Sequence, residues 1–235
     1  MLLPALREQV LEANLELVRR GLVLYTFGNA SGISRHDGLV AIKPSGVPYE
    51  GLRPEHMVIT RLNGEIVEGD LRPSSDLPTH LEIYRQFSNV GGVAHTHSEF
   101  ATAWAQACRP IPCLGTTHAD YFHGEVPVTP ALTAEEIAGD YEMNTGVAIS
   151  RRFRDLDPDA VPAVLVASHG PFCWGPTPAA AAHTAVILES LARTAYYTMT
   201  LRENAPPVGR ELHDKHFLRK HGHGAYYGQA SPPKK

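Results

Sequence analysis

The chain is poor in several things that would each have named a class of protein. It has three cysteines, Cys108, Cys113 and Cys173, too few and odd in number for a disulfide framework, so a reducing compartment is expected. It lacks a long apolar run: stretches such as Ala163–Ala167 fall far short of the roughly 20 residues that span a bilayer. Basic charge is not in excess. The net charge is −4, which gives no reason to expect a nucleic-acid partner. Walker-type and dinucleotide-binding glycine patterns are missing, so ATP or NAD use has no support. Arg7, Glu8, Glu12 and Glu16 interrupt the N-terminal region, so no signal peptide is read there and a cytoplasmic location is expected.

With 235 residues, 43% of them hydrophobic and 20% charged, the chain has the means to fold, and disorder is excluded. Leu3, Leu6, Val10, Ala13 and Leu17 recur at helical spacing and predict an opening helix that ends near Gly21. Gly28–Gly32 reads as a glycine-bearing loop and Leu39–Lys43 as a short strand. Met57–Arg61 and Glu65–Val67 read as a hairpin around Asn63-Gly64. Further helices are predicted at 79–87, 100–107, 134–153, 178–200 and 211–220, and strands at 90–97 and 161–167. No internal repeat and no long linker divides the chain. The mixture predicts one α/β domain with a central sheet and flanking helices, followed by a disordered tail over 230–235.

Histidine is the one unusual abundance, at 13 residues. His95 and His97 are two apart on a predicted strand, and such positions share a face. His169 closes a second apolar strand. Three neutral imidazoles suit a catalytic zinc that keeps one position open. An H-x-H pair also occurs in hydrolases. Here Ser98 and Glu99 follow the pair, unlike a metallo-β-lactamase pattern, and the H-x-E and P-C-x-x-C pattern of zinc deaminases is missing. Asp76 is a possible fourth ligand, but its place before a helix also suits an N-terminal cap.

Three loops of small residues could cradle a phosphate: Gly28-Asn29, Ser45-Gly46 beside Lys43, and Ser74-Ser75 before a helix. Each taken alone is equally an ordinary turn. Of the five lysines, Lys43 alone is placed to act as a Schiff-base nucleophile, and a histidine-bound zinc does the same electronic work.

Taken together these segments carry a resemblance. They are GNASG at 28–32, KPSG at 43–46, PSSD at 73–76, HTH at 95–97, GTTHADYFHG at 115–124, SHGPFCWG at 168–175, and DKHFLRKHG with AYYGQ near the C-terminus. The chain resembles the L-ribulose-5-phosphate 4-epimerase group of the class II aldolase/adducin superfamily, from the first helix to Gln229. The resemblance implies a central, mostly antiparallel sheet in a three-layer α/β/α domain over 1–229. It implies one Zn²⁺ per subunit on His95, His97 and His169, with Asp76 as fourth ligand or metal-linked carboxylate. It implies a phosphorylated ketopentose whose phosphate meets Gly28, Asn29, Lys43, Ser45, Gly46, Ser74 and Ser75. It implies Asp120 and Tyr227 as the acid/base pair with His216 close by, and a C4 homotetramer with active sites between subunits. The related fuculose-phosphate aldolases carry glutamate near position 76, so the aspartate here points to the epimerase. A sugar-phosphate aldolase that releases its fragments is the rival reading; a zinc hydrolase and a metal-free adducin-like protein stand behind it.

Overall fold

Two neighbouring residues on one strand show how the layers are arranged. The computed structural model describes residues 1–222 and 224–227. Strand β1 runs Asn29–Ser34, and helices α1 (Pro4–Arg19), α2 (Leu77–Gln86) and α7 (Pro178–Leu201) lie around it. The Ser31 hydroxyl meets His80 Nδ1 and Tyr84 Oη of α2, each at 2.7 Å. At the next residue, a Cβ built on Gly32 would meet Pro178 of α7 and Leu6 and Val10 of α1 at 2.6–3.1 Å. Successive strand residues point to opposite faces. So α2 covers one side of the sheet and α1 with α7 cover the other.

The sheet has seven strands in the order β4-β3-β2-β1-β5-β7-β6, and every named pair is antiparallel. The strands are β2 (Leu39–Ile42), β3 (Val58–Arg61), β4 (Ile66–Glu68), β5 (Gly92–His95), β6 (Ala163–Leu165) and β7 (Pro171–Gly175). The remaining helices are α3 (Glu99–Gln106), α4 (Thr116–Ala119), α5 (Ala134–Ala138), α6 (Tyr141–Arg152) and α8 (Arg210–His221). Helix α6 packs on α2, and α7 packs on α1, β5 and β7. The predicted single α/β domain with flanking helices is the one observed.

Helix α7 shows the local logic. Thr177 caps it by accepting from the Ala180 amide, and Pro178 opens it. Its buried face is Ala181, Ala182, Ala185, Leu188, Leu191, Ala192 and Ala195, at three- and four-residue spacing. The alanines let it lie close to the sheet, and each buried leucine contributes about 2 kcal/mol. The opposite layer is stitched by Phe87, Phe153 and Trp174, with centroids 5.1–5.5 Å apart.

Several sequence expectations need correction. GNASG is not a loop: Asn29 to Gly32 pair with His95 to Gly92, and the edge of this strand also serves β2. Its small side chains, read as turn signals, serve close packing instead. The strand predicted at 90–97 is paired only over Gly92–His95, so His97 lies beyond it. The strand predicted at 161–167 shortens to Ala163–Leu165 because the chain then turns back, with Val166 N donating to Gly170 O at 2.9 Å. That turn leads into β7, which sequence reading did not assign; its proline stands at the first position, where a strand tolerates one. The predicted helix 134–153 is broken at Gly139-Asp140 into α5 and α6. The expected disordered tail, 230–235, and Gln229 of the AYYGQ motif lie outside the described residues.

Candidate active site

The three histidines arrive from two adjacent strand ends. His95 is the last residue of β5, His97 follows two residues later, and His169 sits in the turn between β6 and β7. Their ring centroids form a nearly equilateral triangle with sides of 4.9, 4.8 and 5.1 Å. Two glycines make this approach possible. A Cβ on Gly170 would stand 2.9 Å from Thr96 O and 3.5 Å from His95 Cε1. A Cβ on Gly28, whose φ is +98°, would stand 2.8 Å from His95 O. Ser168, at φ 61°, carries the left-handed step of the β6–β7 turn.

Each ring is also oriented. His95 Nδ1 donates to Pro171 O at 2.9 Å, and the ring stacks on Phe172 with centroids 4.2 Å apart. This leaves the His95 Nε2 lone pair facing inward, 3.0 Å from His97 Nε2. A backbone carbonyl on the far ring nitrogen is the usual support of a metal-binding imidazole. The Tyr141 hydroxyl lies 3.4 Å from His169 Nδ1. Burial, reinforced by the neighbouring His95, lowers the pKa of His97. Burial together with His95 and His97 pushes that of His169 down to about 4. These two rings are therefore neutral at neutral pH, as ligands must be.

The donor set fits a divalent ion. One nitrogen from each ring lies within 4.8 Å of the others. Nitrogens sharing a tetrahedral zinc at about 2.0–2.1 Å stand about 3.3 Å apart, so a small adjustment closes the shell. Asp76 lines the same cavity as an anion. Burial raises its pKa, but the fields of His95 and His80, the 2.6 Å bond from Asn29 Nδ2 and His169 outweigh burial and hold it below the carboxylate range. Asp76 stands at the N-terminus of α2 but makes no side-chain capping bond, so the capping role does not apply.

The residues expected from sequence to cradle a phosphate open onto the same space. Gly28, Asn29, Lys43, Ser45, Gly46, Ser74 and Ser75 line one cavity of about 400 Å³ with Asp76, His95, His97 and His169. Lys43 Nζ donates to Val47 O at 2.9 Å and Pro44 O at 3.2 Å and lies 4.6 Å over the Tyr49 ring. Burial draws its pKa down to about 8. Tyr49 in turn donates to Gly28 O at 2.8 Å, which fixes the loop before β1. Asn29 Oδ1 is buried with no partner among the described residues and is free to accept from a ligand. Every residue assigned from sequence to metal or phosphate is brought into this cavity.

Asp120, His216 and Tyr227 are brought together elsewhere. Asp120 Oδ1 accepts from Arg219 Nε at 2.9 Å and lies 3.1 Å from His216 Nδ1. Its Oδ2 accepts from Arg219 Nη2 at 2.7 Å, with Lys220 Nζ at 3.8 Å. The exposed Tyr227 ring lies beneath Arg219 and Lys220, at 4.8 and 4.4 Å. Burial raises the pKa of Asp120, but its bonds to Arg219 and His216 outweigh this and hold it low. None of the three lines the histidine cavity.

Sequence reading missed Tyr141 and Glu142, which also line the cavity. Their only signal was the Gly139-Asp140 break, which starts α6 over the site. It also missed Phe27, 6.3 Å from the His97 ring, and Arg219, the main partner of Asp120.

Similar proteins share this architecture. An L-fuculose 1-phosphate aldolase superposes with a TM-score of 0.76 at 24% identity, covering 90% of this chain and 94% of its own. YgbL from Klebsiella pneumoniae, a candidate aldolase/epimerase/decarboxylase, gives 0.71 at 25% identity, covering 90% and 97%. The L-fuculose-1-phosphate aldolase of Thermus thermophilus gives 0.64 at 25%, covering 86% and 98%. The family model "Class II Aldolase and Adducin N-terminal domain" matches residues 8–196. With the histidine triangle at its sheet end, the chain belongs to the class II aldolase and adducin N-terminal domain family.

Proposed function

We propose that the protein is a zinc-dependent L-ribulose-5-phosphate 4-epimerase that forms D-xylulose 5-phosphate. The observation that carries this reading is the single cavity shared by three imidazoles, the Asp76 carboxylate and the Lys43 cradle. A ligand there must offer oxygens at one end and an anion at the other, as a phosphorylated ketose does.

C4 of the substrate has no acidic C–H, since the ketone at C2 is one carbon too far away. Inversion therefore proceeds by cleavage of C3–C4. A base takes the C4 hydroxyl proton, and the bonding pair moves toward C2, giving glycolaldehyde phosphate and the enediolate of dihydroxyacetone. Zn²⁺ held by His95, His97 and His169 with Asp76 would stabilise the charge that builds on the C2 and C3 oxygens. Lys43, Ser45, Gly46, Ser74 and Ser75 keep the aldehyde tethered by its phosphate while it turns over. Asn29 holds Asp76 and offers its buried Oδ1 to a substrate hydroxyl. The bond then re-forms on the other face, and the alkoxide is reprotonated.

Two proton-transfer groups are needed, on opposite sides of C4, and we assign them to Asp120 and Tyr227, with His216 holding Asp120. Because this cluster does not line the cavity of its own chain, it would serve the cavity of a neighbouring copy in a C4 homotetramer. Arg219 and Lys220 lie over the Tyr227 ring and hold it beside Asp120.

The second reading is a sugar-phosphate aldolase that releases its fragments, favoured by the names of two structural relatives. The short carboxylate of Asp76, tied to Asn29, supports the epimerase. Purified protein is offered L-ribulose 5-phosphate and, separately, L-fuculose 1-phosphate. Formation of D-xylulose 5-phosphate without free aldehyde is expected. Accumulation of aldehyde with either substrate would replace the epimerase reading by the aldolase one.

A further inference from the structure

The segment before β1 carries three large apolar side chains that the core does not take up. Leu24, Tyr25 and Phe27 are 69%, 89% and 55% exposed. The chain turns tightly here. Phe27 N donates to Leu24 O at 3.0 Å, and Tyr25 stands at a φ of 52°, a left-handed conformation that an L side chain adopts only at a cost. A strained turn that directs bulky apolar groups away from the core points to a use outside it.

Phe27 is the member of this turn that reaches the site. It lines the histidine cavity together with Thr26, Gly28 and Asn29. Its ring lies 6.3 Å from that of His97, the exposed member of the triad, with the two planes 34° apart. Tyr25 meets Phe27 edge-on, with centroids 6.5 Å apart and planes at 76°. The backbone beneath is fixed. Tyr49 donates to Gly28 O at 2.8 Å, and a Cβ on Gly28 would meet His95 O at 2.8 Å and Thr96 Cα at 3.4 Å. Phe27 therefore stands between the two ends of the cavity. His97 belongs to the end that suits an ion, and Gly28 and Asn29, the next two residues, belong to the end expected to hold the phosphate. The carbons of a ketose phosphate laid between those ends pass a ring that offers them no hydrogen bond.

We propose that Phe27 is a specificity-determining residue that keeps the two cleaved fragments together, and so separates an epimerase from an aldolase; this rests on the epimerase reading above. Two fates are open once C3–C4 has broken. In re-closure, C3 of the enediolate returns its electron pair to the aldehyde carbon, and the new C4 alkoxide is protonated. In the leak, the aldehyde departs as glycolaldehyde phosphate, C3 takes its proton from water instead, and dihydroxyacetone follows. A phenyl wall beside the breaking bond acts against the leak twice. It obstructs the aldehyde's way out, and it excludes the water that would protonate C3. It does both without holding the aldehyde by a hydrogen bond, so the aldehyde stays free to turn over.

The test gives L-ribulose 5-phosphate to the zinc-loaded parent chain, Phe27→Ala and Phe27→Leu. NMR reads the ratio of free glycolaldehyde phosphate and dihydroxyacetone to D-xylulose 5-phosphate. The parent is expected to release no free aldehyde. Phe27→Ala should raise the ratio at least about tenfold above the parent's background, the scale on which an apolar contact discriminates, with metal content by elemental analysis unchanged. Phe27→Leu, which keeps an apolar wall, should bring the ratio most of the way back. An unchanged ratio in Phe27→Ala overturns the inference. So does loss of the ion from that variant, which would make Phe27 a support of His97 instead. A parent chain that forms no D-xylulose 5-phosphate overturns the epimerase reading and this inference with it, whereas a parent that epimerises beside an unchanged Phe27→Ala overturns the inference alone.

Discussion

The two halves of the proposed machinery are built differently. The histidine triangle stands on adjacent strand ends, under the Phe172 ring, with glycines at its closest approaches. The Asp120 cluster is assembled by a helix that buries no residue completely, and its members are held by ion pairs. The first arrangement fixes atoms by packing and leaves them little freedom. The second fixes them by charge and can be loosened by pH, salt or loss of one partner. A reaction that opens and reseals a carbon–carbon bond needs a fixed electron sink, whereas its proton carriers need only to reach the substrate. The difference in construction matches that difference in demand.

The comparison is broken most severely at the sink. His97→Asn is expected to remove the ion by elemental analysis and to lower turnover by at least about 10³-fold, the scale of losing a preorganised electrostatic stabiliser. Asp120→Asn should lower kcat by about 10²-fold or more, the contribution of a proton-transfer group, with metal content unchanged. If Asp120→Asn also strips the ion, the two regions are not independent. Gly170→Ala sharpens the contrast, because its Cβ would meet Thr96 O at 2.9 Å. Zinc affinity should fall by about 10–100-fold while the Asp120–Arg219 pair is untouched, as measured by chelator competition.

The two smaller effects depend on pH. Lys43 is charged below its pKa of about 8, so KM for a phosphorylated substrate should rise as pH increases through that value. Lys43→Met should abolish the pH dependence and leave KM high throughout. Asp120 has a lowered pKa in the folded chain, so its pairing contributes stability above the ordinary carboxylate range, and this is lost as pH falls through the folded value. Thermal melts of Arg219→Met should lie below those of the parent at neutral pH and converge with them in acid. Parallel curves at all pH values would remove the ion pair from the account.

Much of the site was legible in the sequence because its chemistry is local. H-x-H, K-P-S-G and P-S-S-D are short, and each brings its own geometry, so all their assigned residues reached one cavity. What was not legible depends on distant partners. GNASG reads as a loop because small residues are turn formers, yet β2 and β5 supply hydrogen bonds from both sides and make it a central strand. β7 was hidden by its leading proline and by a turn that only the pairing with β5 and β6 reveals. Tyr141 belongs to the site only because α6 begins beside it. Arg219 looked like one of several charges on an exposed helix until the fold set it against Asp120, 99 positions earlier in the chain.

The central claim is that an ion in the histidine triangle carries the charge released when C3–C4 opens. The direct test is formation of D-xylulose 5-phosphate by protein dialysed exhaustively against EDTA, followed by stepwise return of Zn²⁺. The account requires negligible turnover after dialysis and recovery that His97→Asn abolishes. Full turnover by the metal-stripped chain would contradict it.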